Sequence, residues 1–345
     1  MKKELKVLGA VFAVNVMSVF AGCKTDSDDS TPTADSKTET TETIPEGFVK
    51  VAGTTITGAA YQNNYTGVFP LGRTVTLSDF YMSKYEITQA EYKAVMQNQT
   101  TYTLEAEPSL CTATSANYLL DIASLGEVQE NRPVENVTWY DAVYYCNARS
   151  EQEGLTKAYN ITGTTISGKH ITAATVTRVD NANGYRLPTE AEWEFAARGG
   201  SQTADDWNYT FSGADTSADS SYKKFKNSGM DTVGWYCCNT TTGTTGEDLT
   251  SNKTSKGTHE VGKKNANRLG IYDMSGNVWE WCYDWKGDIS TSETVSNPVG
   301  PDSGSERVNR GGDWYDGAGC STVSYRDHSF SVGACLGFRV VRSAQ

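Results

Sequence analysis

The stretch 310–339 constrains this chain more than any other. It opens on Arg310-Gly311-Gly312-Asp313-Trp314-Tyr315-Asp316 and closes on Gly337-Phe338-Arg339. A Gly-Gly pair permits a positive φ or a close backbone approach. The tail, residues 336–341, reads as a strand. Between these two ends there is no helical or strand period, only small polar residues and a few rings. Such a segment suits a displayed surface better than a core.

The rest of the chain must supply the support. At 345 residues it can hold one large domain or two ordinary ones. Eight Trp and 19 Tyr can build a core, while 32 Gly point to many loops and few long helices. Acidic residues outnumber basic ones 42 to 30, a net charge of −12, which argues against nucleic acid as a partner because its phosphates would be repelled. The eight Cys show no C-x-x-C pair, so zinc is not expected, and Cys146 and Cys282 read as small buried apolar residues. The three His have no ligand spacing to one another, which disfavours a His-based metal site or triad.

Residues 1–22 read as a signal peptide: Lys2, Lys3 and Lys6 precede an apolar run too short to span a bilayer. The run ends Val19-Phe20-Ala21-Gly22-Cys23, which resembles a bacterial lipoprotein cleavage site. Cys23 would then be lipidated and hold the protein to a membrane. Residues 23–46 are rich in Ser, Thr and Asp and read as a solvated tether. The folded part is expected over 47–345.

Strands are predicted at 48–53 and 74–77. A helix over 88–96 has Thr88 as N-cap with Glu91 three residues on, and a second spans 139–153. A third follows Thr189, with Glu192 closing a capping box and Trp193, Phe195 and Ala196 facing inward. Residues 201–258 lack a period and read as ordered loop anchored by Trp207, Trp235 and Tyr236. In 185–194, three carboxylates lie near Arg186; with no nucleophile nearby, they read as caps and a buried Arg–Glu pair rather than as acid/base groups.

In 273–281, Asp273 and Glu280 flank a Gly turn. With main-chain carbonyls of Gly276 and Val278 they make a workable Ca²⁺ shell. The same residues equally suit a tight turn with Trp279 and Trp281 in the core.

These motifs together resemble the formylglycine-generating-enzyme family, the sulfatase-modifying factor domain. The matching pieces are 80–88, 132–139, 184–194, 270–281 and 310–339, in family order. The resemblance implies an α+β, loop-rich variant of the C-type lectin-like fold with few short helices and twisted antiparallel strands. It also maps the family's structural Ca²⁺ shell onto Asp273, Gly276, Val278 and Glu280. Family oxidases bind copper through two Cys just after the Gly-Gly. Here those places fall at Asp316 and about Ser321, with Cys320 alone beside the second, so copper and oxidase activity are not expected.

The segment also resembles that of the variable lipoproteins of diversity-generating retroelements, which carry this fold. Their C-terminal Asn-type codons are rewritten by adenine-directed mutagenesis. Randomising the first two bases of such codons cannot give Lys, Glu, Gln, Met or Trp. From 313 to 335 this sequence contains none of these except Trp314, and it also lacks Asn. The resemblance implies a variable region over about 310–345 and a non-catalytic binding face built from Asp313, Trp314, Tyr315, Asp316, Tyr325, Asp327, His328 and Phe330. Tyr and Trp give rigid contact area while Ser, Gly and Asp adapt their hydrogen bonds. Arg310, Arg326 and Arg339 are expected to hold the frame. The expected protein is a monomer at the outer membrane or cell surface of a bacterial envelope. Its partner would be a protein or glycan ligand on another cell or host surface.

Overall fold

The structure is a computed structural model, and it describes residues 43–60, 67–115, 125–215, 226–240, 257–329 and 331–344. The signal peptide, Cys23, nearly all of the tether, and Phe330 lie outside the described residues.

Both ends of the described chain meet on one strand. Strand β4 (Phe80–Ser83) pairs antiparallel with β1 (Phe48–Val51) on one side and with β12 (Val341–Ser343) on the other. All four residues of β4 are buried, as a strand flanked on both edges and covered on both faces must be. A second sheet carries the segment that opened the sequence reading. Strands β7 (Trp279–Trp285) and β9 (Arg307–Arg310) are its antiparallel centre. The short β10 (Asp327–Ser329) pairs with β9, and β11 (Leu336–Gly337) lies parallel to β7. A third sheet has the order β2 (Thr55–Thr57), β3 (Thr74–Thr76), β8 (Thr294–Ser296).

Three helices start on capping boxes, each closing two backbone donors that a helix leaves open. They are α1 (Gln89–Met96, Thr88/Glu91), α2 (Trp139–Gln152, Thr138/Asp141) and α3 (Glu190–Ala197, Thr189/Glu192). A shorter helix, α4 (Ser228–Val233), is capped by Asn227. Cys146 and Cys282 are fully buried, as expected. Of the three anchors expected in 201–258, Tyr236 and Trp207 are buried and Trp235 is half-buried, stacked 3.7 Å from His259.

Two parts of the fold differ from the sequence reading. The tail is not one strand but two on different sheets. Between β11 and β12, Phe338 packs on Tyr145 at 5.3 Å and Arg339 turns to Glu280, so the chain crosses from one sheet to the other in three residues. A long hairpin, β5 (Tyr159–Ser167) with β6 (His170–Arg178), was not foreseen. Its turn is Gly168-Lys169, both at positive φ, which matches the strand twist.

Two apolar clusters fill the space between these elements. One joins α1 and α2 to Trp279, Trp281, Leu336 and Phe338. The other joins β3, β4 and α3 to Trp207, Ile271 and Val308.

Candidate functional site

Helix α3 explains how the segment after β9 is held. Every residue of α3 is buried, including three glutamates. Buried carboxylates need charged partners, and four arginines, two near in sequence and two more than 100 residues away, supply them. Arg310 donates to Glu190 and Glu194, both at 2.7 Å, and to the Val323 carbonyl at 2.7 Å. Arg326 forms a two-pronged pair with Glu190 at 2.6 and 2.7 Å. Arg198 pairs with Glu194, and Arg186 grips Glu192 through both oxygens. Burial pushes these three glutamates up, but the arginines outweigh it and hold all three below the usual carboxylate range. The carboxylates of 185–194 are therefore structural, and Arg310 and Arg326 pin the start and the middle of the segment to one helix.

Gly311 and Gly312 then take φ of +98° and +72°. A Cβ on Gly312 would lie 2.4 Å from Ser321 Oγ and 2.9 Å from its backbone, so only glycine fits this crossing. Asp313 follows, buried, with Oδ1 accepting the amides of Tyr315 and Asp316 at 2.7 and 2.8 Å. Trp314 is buried against Cys111 and Ala334, and its Nε1 donates to the Ala334 carbonyl at 3.0 Å. These two residues are corrected: they do not belong to an accessible binding face. Asp313 is a backbone turn and Trp314 an anchor, because a loop without strand pairing must satisfy its amides and bury a ring to keep one shape.

The other expected face residues are placed at or near the surface. Tyr315 is 62% exposed and meets Trp314 edge-on at 5.6 Å. Asp316 is half-buried and accepts the Trp279 indole N–H at 2.9 Å. Tyr325 packs on the other side of this region, 5.9 Å from Trp279. Asp327 and His328 lie on β10, and the exposed His328 faces Glu306 at 3.0 Å. The sequence reading missed Trp279, the ring that joins Asp316 to Tyr325. Its place in a Trp-Glu-Trp strand marked it only as core.

Of the four residues expected to hold calcium, Glu280 has an arginine as its counter-charge. Both oxygens of the fully buried Glu280 are taken by Arg339 at 2.6 and 2.7 Å, and Oε2 also accepts the Trp193 indole N–H at 2.8 Å. The Arg339 guanidinium supplies the positive charge that a divalent ion would bring. Asp273 accepts the Gly262 amide through Oδ2, which leaves Oδ1 as its one unpartnered oxygen among the described residues. No cluster of three His, Cys, Asp or Glu able to hold a metal occurs among the described residues. With Glu280 paired to Arg339, Asp273 Oδ1 and the main-chain carbonyls of Gly276 and Val278 are the oxygens of the expected shell that would remain for a cation. EDTA is expected to leave Tm unchanged; a fall of several degrees would restore the shell.

Several buried carboxyls, Asp273, Glu135 and Asp284 among them, have no arginine or lysine within ion-pair distance among the described residues. Burial pushes Asp273 up to about 6, and Glu135 and Asp284 to about 8. A folded-state pKa above the unfolded value, ordinarily near 4, adds stability that is fully present below that value. This stability is lost as pH rises through the folded values. The arginine-held glutamates act in the opposite sense, losing their contribution as pH falls below about 4. Tm is therefore expected to peak near pH 5 and to fall steadily toward pH 8.5. A profile flat from pH 5 to 8.5 would contradict the burial of these groups.

The thiols near the segment are poor nucleophiles. Burial, with help from Asp313 and Asp316, pushes Cys335 well above its ordinary value and Cys320 up to about 12; burial, with Glu135, does the same to Cys111. A protonated thiol is neither an effective nucleophile nor a good ligand for a soft metal.

This geometry can be set beside known proteins. A sulfatase-modifying factor enzyme 1-like domain matches residues 28–344. A chaperone protein LppX of Paenibacillus barcinonensis is 37% identical over 79% of this chain and 82% of its own length. The formylglycine-generating enzyme of Mus musculus is 28% identical over 70% of this chain; the match spans 59% of that enzyme. Among solved structures, Treponema denticola variable protein 1 superposes with a TM-score of 0.62 at 30% identity, covering 86% of this chain and 94% of that one. The chain belongs to the sulfatase-modifying factor enzyme 1-like family and has that family's α+β, C-type lectin-like fold.

Proposed function

We propose that this protein is a non-catalytic ligand-binding lipoprotein of a bacterial envelope, anchored through Cys23 at the outer membrane or cell surface. Segment 313–335 carries its display face, with Tyr315, Asp316, Tyr325, Asp327 and His328 as contact residues; Phe330, outside the described residues, is included on the sequence alone. Retroelement mutagenesis varies those side chains, and the partner is a protein or glycan on another cell or host surface.

One observation carries the reading. Trp314 is 3% exposed and Tyr315 is 62% exposed, although they are neighbours in sequence. The backbone is fixed by bonds at Asp313, Trp314 and Arg326 and by the buried stretch 321–324, while Tyr315 and His328 project outward and Asp316, Tyr325 and Asp327 are half-buried at the surface. Such a loop can change its decoration without changing its course. The names of two relatives, a variable protein and a chaperone, agree with work done by surface binding rather than by turnover. No helix among the described residues is long and apolar enough to cross a membrane, so attachment would fall to the lipid.

The test is the coding locus. Copies from related isolates should differ at the exposed positions of 315–332 and keep Gly311, Gly312, Trp314 and Arg326. A near-copy of the 3′ coding end with Asn codons at the differing positions should lie beside a reverse transcriptase. Uniform sequence across isolates would remove the diversification. A copper-dependent oxidation of a Cys-containing peptide would remove the non-catalytic reading.

A further inference from the structure

Seven arginines are buried among the described residues: Arg73, Arg132, Arg186, Arg198, Arg307, Arg310 and Arg339. Six have a carboxylate within 2.9 Å. Arg307, 8% exposed, has none within ion-pair distance among the described residues. Its guanidinium lies 3.6 Å over the ring of Trp139 and 3.4 Å over that of Trp285. One terminal nitrogen donates to the Tyr283 carbonyl at 2.6 Å, and Nε is buried without a hydrogen-bond partner. The two indoles stabilise the cation by contact with their faces, but they do not neutralise it. A buried charge left in this state is costly unless something else meets it.

Arg307 lines a cavity of about 390 Å³, a size that suits a small ligand. Trp139, Tyr140 and Trp285 form its aromatic wall, and Ser305, Thr172 and His170 add polar groups. His170 is held by Asp141 at 2.6 Å, so that carboxylate is already engaged away from Arg307. Strand register places Trp285, Arg307 and Ser329 in one row across β7, β9 and β10. The cavity thus sits in the frame, and segment 313–335 closes only one side through Ser329, Ser331 and Val332.

We propose that this cavity binds an acidic sugar, a pyranose ring that stacks on the Trp139, Tyr140 and Trp285 wall and presents its carboxylate to Arg307. Nε has no accessible surface and one terminal nitrogen is held by Tyr283, so the other terminal nitrogen, which makes no hydrogen bond among the described residues, is the donor that meets the carboxylate in a charge-assisted hydrogen bond. The aromatic wall fits the apolar C–H face of the ring, and the serine and threonine hydroxyls match its hydroxyls. Because the anion receptor and the wall lie outside 313–335, the pocket serves every version of the display face. It holds whether or not that segment varies.

The experiment is a titration of the full-length protein in detergent, followed by saturation-transfer NMR and Trp fluorescence. D-glucuronate should bind with transfer to its ring protons, and D-glucose at least 10-fold more weakly. R307K should keep the charge but lose the guanidinium donor, weakening glucuronate at least 10-fold with glucose unchanged. Y140A, at the half-buried rim, should weaken both sugars several-fold. If R307K does not fold, the glucuronate-to-glucose ratio on the natural protein decides alone. Equal binding of the two sugars, or binding of neither, overturns the proposal and leaves Arg307 a packing residue. Tighter binding of benzoate or of a peptide with a free C-terminal carboxylate also overturns it, by assigning the pocket to another ligand class.

Discussion

Replacing Arg339 by Met is expected to cost about 3–5 kcal/mol of folding stability and to lower Tm by roughly 10 °C. Arg339 is fully buried and is the cation held between the two oxygens of Glu280. It also donates to the Tyr272 carbonyl at 2.9 Å and to the Ser83 carbonyl at 3.2 Å, tying β4 to the turn before β7. Glu86 and Asp273 feel its charge as well; burial already pushes both of them up, Glu86 well above the usual range. Removing Arg339 leaves three buried carboxyl groups facing one another with no counter-ion. The penalty comes from the stranded Glu280 rather than from lost attraction. The double variant E280Q/R339M should therefore recover at least half of the loss, since a Gln carbonyl still accepts the Trp193 indole N–H. Urea denaturation of the three proteins checks this. A loss below about 1 kcal/mol in the single variant would mean that the pair is solvated.

Trp314→Ala and Tyr315→Ala should differ more than any other two adjacent substitutions in the segment. Trp314 fills a buried site between Cys111, Ala334 and the half-buried Cys335. Truncating a buried Trp costs about 3–5 kcal/mol, and here the Ala334 carbonyl also loses its indole donor. Tyr315 is largely in water, and an exposed side chain is normally worth within about 0.5 kcal/mol. Thermal melts should show a large fall for the first and almost none for the second. Comparable losses at both positions would show that the loop draws its shape from its outward side chains, and the display reading would fail with it.

Much of this was legible in the sequence where one local rule acts alone. The capping boxes at Thr88 and Thr189 fixed two helix starts, because the cap bonds are made within four residues. The motif order gave the family and the fold. Arg310, Arg326 and Arg339 were expected to hold the frame, and each is paired with a buried glutamate. Illegible were the facts that depend on what a residue meets across the fold. Asp313 and Trp314 share the composition of a display loop, yet one is a turn and the other an anchor, and only the position of Ala334 decides the second. Glu280 read as a free oxygen donor because Arg339 is 59 positions away. The hairpin from Tyr159 to Arg178 carried its signal, two Thr/Ile/Val-rich runs around Gly168-Lys169, but the alternation is blurred by two bulges.

The placement of β12 has a consequence for how errors in this chain are handled. The strand that completes the sheet around β4 is made after all of 313–335. A stop codon or a frameshift anywhere in that segment removes it, along with the Arg339 tie. The truncated product keeps an open, apolar β4 edge, which invites aggregation and proteolysis. Only chains read in frame through β12 can close the sheet around β4.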